Sequence, residues 1–227
     1  MTVPSRPFKW VRGKAMLIQA MVQTPIPGQL DRFNRFLQMN MALAAAHGVG
    51  TSLKVSSFGT AGIEIYLMQQ FANWEEYGEK TDAMRGDPAW RQIMDFGGGN
   101  QPFAENIDSF CASAIPELSS QEGFSAGPVL ATVWAPHPKR LGATLEAFAR
   151  GKAVHEPEGC KVRVFQILGG RFCGQLLYNM SFESNQAFGR CMAGIQEPHA
   201  ALMADIDQDP VANMTAQFKM DNPVLVG

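Results

Sequence analysis

The sequence predicts an α+β protein made of two tandem βαββαβ repeats, packed sheet to sheet as an intramolecular α/β barrel. Three observations predict it. Thr24-Pro25-Ile26-Pro27-Gly28-Gln29-Leu30 recurs as Ala135-Pro136-His137-Pro138-Lys139-Arg140-Leu141, with two prolines and a leucine at one spacing 111 positions on. Later landmarks recur in the same order: His47 and His155, Val55 and Val164, Tyr66 and Tyr178, Phe71 and Phe182, Tyr77-Gly78 and Phe188-Gly189, Pro88 and Pro198. Within each repeat, runs of period two alternate with runs of period 3.6, the signatures of strands and amphipathic helices.

The first strand is expected over Ala15 to Gln23, stopped by Pro25 and Pro27 because proline has no N–H for the ladder. Leu30, Phe33, Phe36, Leu37, Met41 and Ala44 fall at spacings of three and four, a helix that Gly48 ends. Thr51 to Phe58 and Ile63 to Gln70 flank the turn Gly59-Thr60-Ala61-Gly62 as a β-hairpin. Asn73 caps a second helix that carries Glu75 and Glu76 in its first turn, and Asp87-Pro88 restarts it. Gly97-Gly98-Gly99 closes that helical stretch, and Asn106 to Ala114 supplies the last strand. The second repeat reads in the same roles over 129–135, 139–154, 160–167, 172–180, 184–193, 198–206 and 211–220. A Ser/Gly linker at 119–127 separates repeats at 12–118 and 128–222. The order βαββαβ is that of the ferredoxin-like fold, whose sheet is bare on one face; two such faces close a barrel.

Composition bounds the function. Hydrophobic residues at 46% and charged residues at 18% supply an ordinary core. A net charge of −2 without a basic stripe speaks against a nucleic-acid partner. Cys111, Cys160, Cys173 and Cys191 lack C-x-x-C spacing and read as free thiols, and no His or carboxylate cluster has metal-ligand spacing. Arg6, Lys9, Arg12 and Lys14 precede no apolar run of signal-peptide type, and no segment reaches the ~20 apolar residues that cross a bilayer. The expectation is a cytoplasmic protein without metal, cofactor or membrane contact. Its expected partners are a small-molecule ligand and further copies of itself in a homo-oligomer.

Alternation divides each strand between helices and barrel. Ile18, Ala20, Val22, Val129, Ala131 and Val133 are small or branched and are assigned to the helix side. The opposite sets, together with the more polar faces of the third strands, give a mixed barrel interior of Gln19, Gln23, Glu64, Tyr66, Trp134, Gln175 and Asn179. Such a lining suits a small-molecule cavity, and it suits equally an internal set of mutually paired polar groups. Glu64, if inward and desolvated, is a general-base candidate. His47 and His155 end the first helix of each repeat, where they serve either as bases at the barrel mouth or as partners of helix carbonyls. Lys54 and Arg163 occupy matching second strands, as inward anion ligands or, the commoner role, as edge cations that block strand addition. Trp74 and Trp90 are assigned to packing under the helices.

The βαββαβ duplication and the run Phe71-Ala72-Asn73-Trp74-Glu75-Glu76-Tyr77, leading to Asp87-Pro88-Ala89-Trp90, resemble the dimeric α/β-barrel superfamily, with its antibiotic biosynthesis monooxygenase, NIPSNAP and EthD branches. Glu197-Pro198-His199-Ala200 is the decayed counterpart of the Asp-Pro-x-Trp segment. The resemblance implies chemistry as varied as cofactor-free oxygenation of phenolic molecules, isomerisation and haem degradation. Asn179, Trp134, Tyr66 and His47 or His155 match its polar substrate-binding groups by residue type. Two readings follow: an enzyme oxygenating or isomerising an aromatic or apolar molecule inside the barrel, and a non-catalytic ligand-binding or assembly protein. Haem binding is a third, resting on His47 and His155 alone.

Overall fold

A computed structural model describes residues 16–60, 62–99, 101–120 and 127–223. Ala15, the basic N-terminal residues and linker positions 121–126 lie outside the described residues. The first repeat runs β1 (Leu17–Pro25), α1 (Leu30–Ala46), β2 (Gly50–Phe58), β3 (Ile65–Phe71), α2 (Trp74–Gly86), α3 (Pro88–Gly97) and β4 (Ala104–Ala114). The second runs β5 (Val129–Pro136), α4 (Leu141–His155), β6 (Lys161–Ile167), β7 (Leu176–Ser181), α5 (Asn185–Gly194), α6 (Gln196–Ile206) and β8 (Ala212–Asp221). The caps read from sequence are in place: the Asn73 side chain accepts from Glu76 N at 2.9 Å, and Asp87 accepts from Ala89 N at 2.8 Å. β7 starts later than expected because Gly170 and Gly174, both at positive φ, hold the preceding residues in a turn.

All eight strands form one closed antiparallel barrel in the order β1-β3-β2-β8-β5-β7-β6-β4. Each repeat contributes four neighbouring strands. The repeats meet at two short seams, β2 with β8 over Val55, Ser56 and Phe58, and β4 with β6 over Ala112 to Ala114. Among the described residues no helix is long and apolar enough to cross a membrane.

Register fixes the equivalence of the repeats. Ala20 pairs with Met68 as Ala131 pairs with Asn179, and Val22 with Tyr66 as Val133 with Leu177, so a constant offset of 111 holds through β3 and β7. The amide of Ile26 donates to Phe103 O and that of His137 to Val211 O, both at 2.9 Å, so the offset falls to 108 at the last strands. On this alignment His155 corresponds to Ala44, not to His47; Tyr178 corresponds to Leu67, not to Tyr66; and Arg163 corresponds to Ser52, not to Lys54. The matching of these landmarks in the sequence reading is corrected accordingly.

The faces of the first strands are also reversed from expectation. Ile18, Val22, Val129, Ala131 and Val133 pack with Tyr66, Phe165, Leu177 and Phe218 in a cluster drawn from both repeats, which is the barrel interior. Eight strands converge there, and small or branched side chains on the first strands leave the room that the rings of Tyr66, Phe165 and Phe218 fill. Gln19 and Gln23 alternate with Leu17 and Met21 and point to the helices, as Leu130, Thr132 and Trp134 do in the second repeat. The third strands agree with expectation: Tyr66 and Leu177 face inward, Ile65 and Leu67 outward.

Lys54 and Arg163 are buried inside a closed barrel and therefore guard no edge. Lys54 donates to Gly127 O at 2.7 Å and to Asn222 Oδ1 at 2.5 Å, and burial lowers its pKa to about 8. Trp90 packs under the helices, whereas Trp74 is largely exposed.

Candidate functional site

The largest departure between the repeats lies outside the barrel, between sheet and helices. In the first repeat, Phe103 sits within 5.2 Å of the Phe36 ring, 5.7 Å of Phe96 and 6.3 Å of Phe33, measured between centroids. At the positions equivalent to Phe103, Phe36 and Phe33 the second repeat has Val211, Ala147 and Thr144. Three phenyl rings are thus absent, and a cavity of about 400 Å³ stands open under α4 and α6, lined by Thr144, Ala147 and Val211 among others. Thr144 is not free to reach into it. Its hydroxyl donates to Arg140 O and Val211 O, which ties the start of α4 to β8.

The floor comes from β5, β7 and β8: Leu130, Thr132, Trp134, Tyr178, Met180 and Gln217. Trp134 Nε1 donates to Thr132 Oγ1 at 2.9 Å, and Thr132 Oγ1 donates to Tyr178 O, so the indole is held in place. Phe148, Gly151 and His155 of α4 and His199, Leu202 and Met203 of α6 form the roof. Gly151 passes close to Tyr178 and His155, and a Cβ there would meet the Tyr178 hydroxyl at 3.5 Å and the His155 ring at 3.7 Å, both ordinary contact distances. The lining is apolar with a few fixed polar groups, the character of a small-molecule site.

Three of those polar groups form one chain. The Tyr178 hydroxyl lies 2.8 Å from His155 Nδ1, and His155 Nε2 lies 3.1 Å from His199 Nδ1. His155 is 5% exposed, and burial, then the neighbouring His199, lower its pKa to about 4, so the ring is neutral at pH 7. Burial likewise lowers His199 and raises Tyr178, which stays a phenol. The chain can therefore exchange protons without carrying charge.

Of the residues singled out from sequence, only Trp134 and His155 border this cavity. His47 follows α1, and its Nε2 lies 2.9 Å from the carboxylate of Asp87, the cap of α3, a structural role other than the helix carbonyls considered for it. Glu64 and Tyr66 are hydrogen-bonded to each other at one end of the barrel, where Arg171 of the β6–β7 turn reaches Glu64 at 3.7 Å and Asp108 at 3.8 Å. Gln175 accepts from Thr215, and Asn179 faces the interior beside Ala131 and Arg163. Gln19 and Gln23 lie on the helix side of the first repeat. Tyr178 and His199 were missed.

His155 offers haem no free nitrogen, since both are engaged with Tyr178 and His199, and no Lys or Arg lines the cavity among the described residues to meet acidic substituents.

No family model matches this sequence, and no curated protein matches it. Solved structures do. An anthrone oxidase-like protein is 14% identical over 92% of both chains, with a TM-score of 0.56. The chain has the tandem dimeric α/β-barrel fold. A candidate monooxygenase from Fusobacterium nucleatum is 11% identical over 92% of this chain and 95% of its own, at TM-score 0.58. A chlorite dismutase variant from Candidatus Nitrospira defluvii is 7% identical over 92% of both, at TM-score 0.53. At these identities the likeness is one of fold, and the chemistry has to be argued from the cavity.

Proposed function

We propose that this protein is an oxygenase or oxidase acting on a neutral, aromatic-sized small molecule held in the cavity of the second repeat, with Tyr178 and His155 removing a proton from it. The reading moves the site from the barrel interior, which side chains fill, to the space between sheet and helices. The observation that carries it is the pairing of an apolar cavity with a buried, neutral Tyr178–His155 pair. An electron-rich ketone or phenol, once deprotonated, is a carbanion or phenolate that dioxygen oxidises directly. The protein has then to exclude water, orient the ring and accept the proton.

Trp134 and Phe148, 6.0 Å apart in an edge-on arrangement, and Phe148 and Tyr178, 5.2 Å apart, give a flat ring aromatic neighbours. Among the described residues no Lys or Arg lines the cavity, which favours a neutral substrate over a carboxylate or phosphate. Anthrone is the probe, since one fold relative is described as anthrone oxidase-like. Its oxidation balances as C14H10O + O2 → C14H8O2 + H2O. The purified protein should consume dioxygen and produce anthraquinone in equal amounts, and Tyr178→Phe should abolish most of the acceleration while still binding anthraquinone. Binding of anthraquinone with no turnover by the wild-type protein would instead favour a non-catalytic ligand carrier.

A further inference from the structure

We infer that His199 is the outer end of a proton relay, which carries the substrate's proton from Tyr178 through His155 to solvent. This inference rests on the proposed site and adds a residue to it. Tyr178 is 5% exposed at the cavity floor and His155 is buried behind it, whereas His199 on α6 is only half-buried. The three polar groups thus lead outward, each within hydrogen-bond distance of the next.

Only two proton arrangements satisfy both bonds. In one, the Tyr178 hydroxyl donates to His155 Nδ1, His155 Nε2–H donates to His199 Nδ1, and His199 keeps its proton on Nε2. In the other, every bond is reversed: His199 Nδ1–H donates to His155 Nε2, His155 Nδ1–H donates to Tyr178, and the phenol proton points into the cavity. Passing from the first to the second takes up one proton at Tyr178 and releases one from His199 Nε2. The substrate keeps the electron pair of the broken C–H or O–H bond as its anion. Tyr178 is then left donating a hydrogen bond to that anion. No imidazolium forms, so the burial that makes His155 a weak free base does not oppose the transfer. When dioxygen adds to the anion, the resulting peroxide takes a proton, and the relay run backwards returns it.

The substitution pattern supports a built device. The first repeat has Leu67 and Ala44 where the second has Tyr178 and His155. A purely structural site in the second repeat would have needed neither polar group, since apolar Leu67 and Ala44 fill the same two places in the first.

The test does not depend on the substrate. Long-range 1H–15N spectra of the intact protein, with ring signals assigned by single His→Gln variants, report the tautomer of each histidine. At pH 7 His155 and His199 should share one tautomer, both protonated on Nε2 or both on Nδ1, and adding 2-naphthol should move the two together. Opposite tautomers, a charged His155, or independent responses to 2-naphthol would overturn the relay. For turnover, His199→Phe should lower the kcat of anthrone oxidation about 10- to 100-fold, and imidazole in solution should restore part of the loss. Wild-type turnover in His199→Phe overturns the relay and leaves the cavity reading standing. Absence of anthrone turnover in the wild type removes the proposed reaction, and the tautomer spectra still decide the relay.

Discussion

Filling the cavity with the side chains of the first repeat should stabilise the protein and end ligand binding. Ala147→Phe and Val211→Phe together reproduce the Phe36 and Phe103 pair, whose centroids are 5.2 Å apart in the first repeat. Burying a phenyl group is worth about 1.5–3 kcal/mol, so the two give about 3–6 kcal/mol, less about 1 kcal/mol for the methyl and isopropyl groups they replace. Imperfect fit against Trp134 and Phe148 returns about 1–3 kcal/mol for the pair. A net gain of about 1–3 kcal/mol remains, because the space of about 400 Å³ already exists and needs no backbone shift to open. For a chain of 227 residues that corresponds to a Tm rise of about 3–10 °C. Calorimetry reads the Tm, and a fluorescence titration with 2-naphthol reads the cavity, with affinity expected to fall at least about 100-fold as the ring loses its place. A Tm lowered by several degrees, with 2-naphthol affinity unchanged, would refute both the equivalence of the repeats and the location of the site.

Other expectations are independent of that one. Tyr178→Phe should cut anthrone turnover about 100-fold or more with binding nearly unchanged, and steady-state oxygen uptake checks it. Glu64→Gln should leave turnover unchanged while weakening the contacts of Glu64 with Tyr66 and Arg171, at a cost of about 1–3 kcal/mol in urea unfolding. A loss of turnover there would return the site to the barrel end. Because the folded pKa of His155 is about 4 against an ordinary 6.5, the unfolded chain takes up a proton that the fold refuses between those values. Its contribution to stability is complete above about pH 6.5 and lost as the pH falls toward 4, by up to about 3 kcal/mol. Urea midpoints at several pH values should show this slope, and His155→Gln should flatten it.

The repeat was legible because Pro25 and Pro136 punctuate matching strand ends and because alternation survives in each strand. From these the strand order and the closed barrel follow. What alternation cannot say is which of two apolar faces turns to the helices. In β1 and β5 both faces carry Ile, Val, Leu or Met, and only pairing with the more polar third strands resolves them: Val22 opposite Tyr66 must share its side of the sheet. The cavity was written in the sequence as Phe33, Phe36 and Phe103 against Thr144, Ala147 and Val211. It could be read only with the offset held at 111 along the first helix. Matching His47 to His155 shifted that frame by three residues, nearly one helical turn, and hid the equivalence of Ala44 and His155, while matching Tyr66 to Tyr178 shifted it by one and hid the equivalence of Leu67 and Tyr178. His199 gave no local signal, since its meaning comes from α6 crossing the end of α4 in space.

The central claim is the place where an aromatic molecule binds, and the methionines report it directly. Met180, Met192, Met203 and Met214 line the cavity, whereas Met16, Met68 and Met220 pack in the barrel interior. With 13C-labelled methionine methyl groups, titration with 2-naphthol should shift the first four signals and leave the other three in place. Shifts confined to Met16, Met68 and Met220 would put the ligand inside the barrel and contradict the account.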